Sequence, residues 1–214
     1  TSITVAPGSN YFKSVDGVLY SADGKTLVYC PTTLKGSFTI PNGVIAVANG
    51  AFIDCDSLTE VSFPNTVTLV GECAFFGLKD SLTKISFAGG YNDVVIDKYA
   101  FRDCAALHSV VFEKNSRIST LEEGAFYGCA AITSIEFPAA LTKIGANAFY
   151  QCYGLQSIIF AENGKTLAFG ENAFMECTSL TSVDLPAYVT EIPGVFGGCS
   201  SLEELDLSSF NTEK

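Results

Sequence analysis

Eight cysteines, one histidine, two Gly-Lys-Thr triplets and several neighbouring carboxylates are the residues of this chain that could do chemistry. Six of the cysteines (Cys55, Cys104, Cys129, Cys152, Cys177 and Cys199) each follow a Phe by three positions, and Cys30 and Cys73 stand outside that series. An even count permits a disulfide framework. Six cysteines at one repeated position are instead expected to stack in a column as small buried hydrophobes. In-register neighbours about 4.8 Å apart are farther apart than the roughly 3.8 Å between β-carbons that a relaxed disulfide prefers. Free thiols are therefore expected. No Cys-x-x-Cys pair occurs and His108 is the sole histidine, so neither a structural metal nor a cofactor is expected.

His108 also limits nucleophilic catalysis, because any Ser-His-Asp or Cys-His arrangement would have to use it. It directly follows Leu107 at the start of a strand-like stretch, where a surface position is expected. Gly24-Lys25-Thr26 and Gly164-Lys165-Thr166 share the tail of a phosphate loop, but Leu19 and Ile159 occupy the required upstream glycine position. Both triplets read as turns. The pairs Asp54/Asp56 and Glu122/Glu123 supply carboxylates for acid–base work, and a carboxylate-based hydrolase ranks third among the functional readings.

The formal net charge of -11 argues against nucleic acid as a partner, since phosphate binding needs clustered Lys and Arg. From Thr166 onward, eight carboxylates (Glu171, Glu176, Asp184, Glu191, Glu203, Glu204, Asp206 and Glu213) face one base, Lys214. This reads as a solubilising surface or as an attraction for a basic partner. No apolar run approaches the roughly 20 residues that span a bilayer, so no membrane insertion by this segment is expected. The chain shows no initiator Met, signal peptide or Asn-x-Ser/Thr sequon, which points to a processed or trimmed start.

The element that must position these residues is a repeat. Ala-Phe recurs at Ala51-Phe52, Ala74-Phe75, Ala100-Phe101, Ala125-Phe126, Ala148-Phe149 and Ala173-Phe174, with Val195-Phe196 as a variant. The Phe-to-Phe spacings are 23, 26, 25, 23, 25 and 22. Each unit continues into a stretch such as Leu58-Thr-Glu-Val61-Ser-Phe63 or Ile132…Ile135-Glu-Phe137, whose last two apolar residues keep the strand period of two. Several units then carry a second apolar pair, as in Leu141-Thr-Lys-Ile144. A lone repeat buries too little apolar surface to offset the ordering of its backbone, so the units must stack in parallel, with Phe ladders as the spine of the core. Upstream, Asp16-Gly17 and Asp23-Gly24 between alternating apolar residues signal β-hairpins. Ile3-Thr-Val5 reads as the remnant of an earlier strand, and Phe38-Thr-Ile40-Pro41 as the end of another repeat strand. The expected organisation is a β-hairpin-rich N-terminal cap or insertion over 1–36 and an array of about seven units over 37–214. Only Ser-Ser-Phe210-Asn-Thr-Glu-Lys follows the last strand, so the array is expected to continue past Lys214.

The composite unit L-x-x-I-x-F-P-x-x-L-T-x-I-G-x-x-A-F-x-x-C resembles the BspA-like (Treponema-type) leucine-rich repeats over about residues 37–207. The Val15-to-Leu27 segment also resembles a block that accompanies such repeats. Leu78 in place of Cys, and Ile192-Pro193-Gly194-Val195 in place of Ile-Gly-x-x-Ala, are the departures. The resemblance implies a right-handed leucine-rich-repeat solenoid with a parallel β-sheet on its concave face and short turns or helical segments elsewhere. It also implies a bacterial cell-surface or secreted protein that adheres to a protein ligand, either host matrix or another cell-surface protein.

With the first, fourth and sixth positions of each strand inside, the third and fifth point outward. The first outward column reads Glu60, Lys84, Ser109, Ser134, Ser157, Ser182 and Glu204. The second reads Ser62, Ser86, Val111, Glu136, Ile159, Asp184 and Asp206. Val111 and Ile159 are apolar in a mostly polar column and form a candidate hot-spot pair, with an acidic C-terminal rim. The reading is a non-enzymatic binding or adhesion module. The alternative is a structural spacer that carries another functional domain.

Overall fold

The computed structural model describes residues 2–162, 165–189 and 191–206. β1 (Phe12–Val15) and β2 (Val18–Ser21) pair antiparallel across Asp16-Gly17, whose φ angles of 50° and 79° are those a two-residue hairpin turn demands. β3 (Thr26–Tyr29) pairs antiparallel with β2 after the Asp23-Gly24 turn. There the Asp23 carboxylate accepts hydrogen bonds from Ser21 Oγ at 2.6 Å and the Lys25 amide at 2.9 Å. Ile3 and Val5 form no strand. The Ile3 amide donates to the Gly17 carbonyl and the Val5 amide to Ser14 Oγ, so this stretch is an irregular cover on the hairpin.

From β3 onward the chain coils. Each turn gives a front strand and then a short back strand. The first pairs are β4 (Lys35–Thr39) with β5 (Ala46–Val47), β6 (Ser57–Phe63) with β7 (Leu69–Val70), and β8 (Lys84–Phe87) with β9 (Val94–Ile96). They continue as β10 (Ser109–Phe112) with β11 (Ile118–Leu121), β12 (Ser134–Phe137) with β13 (Lys143–Ile144), and β14 (Ser157–Phe160) with β15 (Ala168–Phe169). β16 (Ser182–Asp184) and β17 (Glu204–Asp206) are the last front strands described. The eight front strands exceed the seven full units of the sequence because β4 belongs to the incomplete unit ending at Ile40. Leu207 and the residues after it lie outside the described residues, as does Gly164 of the second Gly-Lys-Thr triplet.

The back strands form one continuous sheet, β1-β2-β3-β5-β7-β9-β11-β13-β15, parallel from β3 on. Its members from β5 on fall at the second apolar pairs of the repeat units. Of the expected short turns or helical segments, the described residues form turns and no helix, and the Ala-Phe-x-x-Cys stretches are tight hydrogen-bonded turns. Cys129 N, for example, donates to Phe126 O at 3.2 Å within one turn, and Phe126 N donates to Ala148 O of the next at 2.8 Å.

This turn-to-turn bond recurs from Phe52 N–Ala74 O (2.8 Å) to Phe149 N–Ala173 O (2.7 Å). Cys30 N–Ala51 O (2.8 Å) places Cys30 at the Phe position of the turn before the first full unit. The rings stack accordingly. Phe101, Phe126 and Phe149 lie with centroids 5.2 Å apart at each step and planes within 10° of parallel. A second column, from the ends of the front strands, meets the first edge-on, as in Phe63 against Phe75 at 5.9 Å and 71°. Ala before Phe is wholly buried in every turn from Ala51 to Ala173, where a larger side chain has no room.

Each corner is set by backbone as well as by packing. The residue before Ala-Phe has positive φ in every turn (Gly50, Cys73, Tyr99, Gly124, Asn147, Asn172, Gly194). So does the second residue after Phe (Asp54, Gly77, Asp103, Gly128, Gln151, Glu176, Gly198). Two left-handed residues per turn reverse the chain around the Phe. At Cys73, Tyr99, Gln151 and Glu176 the Cβ makes that conformation costly, about 1–2 kcal/mol each, and stacking offsets it.

Candidate protein-binding face

The front sheet turns its outward columns to solvent. Glu60, Lys84, Ser134, Glu136, Ser157, Ser182, Asp184 and Glu204 are exposed, and Ser109 is half-buried. Parallel registers bring like positions side by side: Glu60 with Lys84, Ser109 with Lys84, Ser134 with Ser157, Glu136 with Ile159, Ser182 with Glu204, and Asp184 with Asp206 along the backbone. Lys84 Nζ sits 3.9 Å from Glu60, and Ser86 Oγ lies 3.2 Å from Ser62 Oγ. Val111 is 38% exposed and Ile159 55%, the two large apolar side chains turned out from this sheet.

The sheet is not continuous. It runs β4-β6-β8-β10, restarts as β12-β14, and restarts again as β16-β17. No backbone hydrogen bond joins the body of β10 to β12 or that of β14 to β16. Each interruption opens a cleft. The first, about 320 Å³, is lined by His108, Ser109, Val110, Val111, Phe112, Ser134 and Glu136. The second, about 310 Å³, is lined by Ile158, Ile159, Phe160, Glu162, Asp184 and Pro186 to Tyr188. Phe112 and Phe160 are half-buried beside the clefts, whereas Phe63, Phe87 and Phe137 are buried.

The position of the breaks follows from the chain. From the last inward residue of a front strand to the last residue of its back strand the chain advances seven positions in Phe63→Val70 and Phe137→Ile144, and the sequence repeats that spacing at Leu185→Ile192. It advances nine in Phe87→Ile96, Phe112→Leu121 and Phe160→Phe169. The seven-residue connections open on Pro (Pro64, Pro138, Pro186) and the nine-residue ones on Ala88, Glu113 and Ala161. Those three residues donate amides to the preceding turn: Ala88 to Phe63 O, Glu113 to Phe87 O and Ala161 to Phe137 O, each at 3.0 Å. Pro138 and Pro186 have no N–H to give Phe112 and Phe160. Both breaks fall where a nine-residue turn is followed by a Pro-bearing seven-residue turn. This signal lies in the sequence, but strand periodicity does not reveal it.

The other chemical candidates are used structurally. The His108 ring is exposed, and its Nδ1 lies 3.3 Å from the Ala106 carbonyl, with no carboxylate or hydroxyl among the described residues hydrogen-bonded to it. Glu122 pairs with Lys143 at 2.7 Å, and Glu123 lies 3.6 Å from Lys98 and accepts the Tyr99 hydroxyl. Five of the six column cysteines direct their thiols at the Phe carbonyl of the preceding turn: Cys104 to Phe75 and Cys129 to Phe101 at 3.1 Å, Cys152 to Phe126 and Cys177 to Phe149 at 3.3 Å, and Cys199 to Phe174 at 3.2 Å, while Cys55 faces the Cys30 and Pro31 carbonyls at 3.8 and 3.6 Å. Burial pushes Cys104 up to about 12 and Cys55 to about 11, so these positions hold thiols rather than nucleophilic thiolates, whereas at the end of the column the hydrogen bond with Cys177 lowers Cys199. Among the described residues, no group of three His, Cys, Asp or Glu is placed to hold a metal ion, and no helix is long and apolar enough to cross a membrane.

Residues 28–122 and 94–213 match the BspA-type leucine-rich repeat region, in six copies. No curated protein matches the chain. Among solved structures it is similar to the leucine-rich repeat protein of T. pallidum, at 23% identity over 94% of this chain and 80% of that one, with a TM-score of 0.55. It is also similar to a leucine-rich repeat protein from Bacteroides ovatus (20%, 87% of this chain and 53% of that one, TM-score 0.67). The pneumococcal vaccine antigen PcpA is a third (20%, 96% and 50%, TM-score 0.51). The chain spans about half the length of the last two.

Proposed function

The chain belongs to the BspA-type leucine-rich repeat family, and we propose that it is a non-catalytic binding or adhesion module, displayed outside a bacterial cell, that grips a protein ligand with its front sheet. The observation that carries this reading is the pair Val111 and Ile159, which stand exposed beside the two clefts. Serine positions beside them (Ser109, Ser134, Ser157, Ser182) leave room for a partner's backbone to approach, and Glu60, Lys84, Glu136, Asp184 and Glu204 supply a charged surround. Apolar anchors within a polar surround are the arrangement in which a few residues carry most of a binding energy. That PcpA is a vaccine antigen supports placement outside the cell.

The test is binding of the wild-type chain and a Val111→Asp/Ile159→Asp variant to a panel of purified host matrix proteins and bacterial surface proteins. A panel member should bind the wild type and lose at least tenfold in affinity to the variant, with an unchanged melting curve. Equal affinity for the two forms removes this face.

A further inference from the structure

Along the second outward column the order is Val111, cleft, Glu136, Ile159, cleft, Asp184. Glu136 and Ile159 are adjacent in register, so the motif of apolar rim, cleft and acidic far wall occurs twice in succession. Phe112 lines the first cleft and Phe160 the second. The column holds no cation, and the one cation of the neighbouring column, Lys84, is already beside Glu60.

We propose that the two clefts receive two basic side chains, Lys or Arg, from one extended segment of a partner protein lying along the solenoid axis. This inference rests on the front face being the binding face and names the chemistry of what it binds. Each cleft, at about 320 and 310 Å³, is at the small end of ligand cavities and suits one long side chain rather than a whole strand. The stem of a Lys or Arg is apolar and its head charged. The stem lies against Val111 and Phe112, or Ile159 and Phe160, while the head reaches Glu136 or Asp184. An acidic partner would meet like charge at both walls, in a chain of net charge -11.

The spacing selects the sequence pattern. The turns that carry Val111 and Ile159 stack Phe101, Phe126 and Phe149 in two steps of 5.2 Å, about 10 Å in all at that corner, and the open break between β10 and β12 widens the front face beyond this, a difference that the flexible stems of two long side chains take up. A polyproline-type segment rises about 3.1 Å per residue and returns to the same face every third residue, about 9.3 Å. The two anchors therefore fall at positions i and i+3.

The experiment uses two fluorescein-labelled peptides of identical composition at low ionic strength: Gly-Pro-Arg-Pro-Pro-Arg-Pro-Gly, and an isomer with adjacent arginines, Gly-Pro-Arg-Arg-Pro-Pro-Pro-Gly. The spaced peptide should bind at least fivefold more tightly by anisotropy. A Glu136→Gln/Asp184→Gln variant, changed only at exposed positions, should reduce its binding to that of the isomer. Equal binding of the isomers, indifference to the double variant, or no binding at millimolar peptide overturns the proposal. A protein partner lost in the Val111→Asp/Ile159→Asp variant, together with silent peptides, keeps the face and removes the basic anchors. Spaced-peptide binding that depends on Glu136 and Asp184, with no panel protein sensitive to Val111 and Ile159, keeps the clefts' chemistry and removes the face as an adhesion surface.

Discussion

Cys129 Sγ lies 3.1 Å from the main-chain carbonyl of Phe101, one full turn earlier in the coil. The same oxygen accepts the Cys104 amide at 3.3 Å, so one carbonyl closes its own corner and also ties down the next. The contact explains why a thiol occupies this position: alanine offers no donor, and the site is wholly enclosed. Cys129→Ala should lower stability by about 1–2 kcal/mol, the worth of a hydrogen bond and a small cavity, read from the urea midpoint. An unchanged midpoint would show that the contact contributes nothing.

Thiol reactivity separates the column from its edges. Cys73 and Cys199 are half-buried, while Cys30, Cys55, Cys104, Cys129, Cys152 and Cys177 are buried. At pH 8 the native protein should release chromophore from a disulfide reagent at Cys73 and Cys199 only. All eight should react in guanidinium without reductant. Fewer than eight would reveal disulfides.

Alkaline pH tests the same burial from the other side. Cys104 rises from 9.0 to about 12 and Cys55 to about 11 in the folded chain, in both cases chiefly through burial. The folded state then holds protons that the unfolded state gives up, so this stabilisation is complete below about pH 9 and is lost as pH climbs toward 11 and 12. Urea midpoints should be flat between pH 7 and 8.5 and fall steadily above pH 9. In Cys55→Ala/Cys104→Ala the fall should be shallower, and an identical slope would contradict the assignment.

The stacked rings set the largest penalty. Phe126 is wholly buried between Phe101 and Phe149, and Phe126→Ala should cost about 3–5 kcal/mol. Tyr91 is 95% exposed, and Tyr91→Ala should stay within about 0.5 kcal/mol of wild type. Comparable losses for the two would remove the Phe column from its structural role.

The first break should respond to one atom. Pro138→Ala supplies an N–H beside the Phe112 carbonyl, where the neighbouring turns make a 3.0 Å bond. If the missing donor holds the cleft open, that amide should exchange at least tenfold more slowly than a solvated loop amide. Exchange at the solvated rate would assign the opening to unequal connection lengths alone.

The parts of this molecule that were legible in the sequence are those with a fixed period. Ala-Phe at regular intervals foretold the stack of Phe101, Phe126 and Phe149, and the strand period placed Glu60, Ser134, Ile159 and Asp184 on the solvent side. Other parts were hidden because their pattern is short or not one of hydrophobicity. Back strands such as Leu69–Val70 are two residues long, too few to show alternation. The left-handed corners are taken by Gly, Asn and Asp, but also by Cys73, Tyr99 and Gln151, whose types give no warning. The front-sheet breaks depend on counting residues between Phe112 and Leu121 against Phe137 and Ile144, a comparison of loops rather than of faces.

The seven-or-nine rule has a consequence for how such proteins diversify. Adding or removing two residues in a surface connection changes which neighbouring coils hydrogen-bond and partly uncovers the Phe that ends the front strand at a break (Phe112, Phe160), while the Phe column of the corners stays wholly buried. Surface hollows can thus migrate along the coil through small insertions and deletions that leave the hydrophobic spine in place, so the shape of the outer face can change without a matching loss of stability.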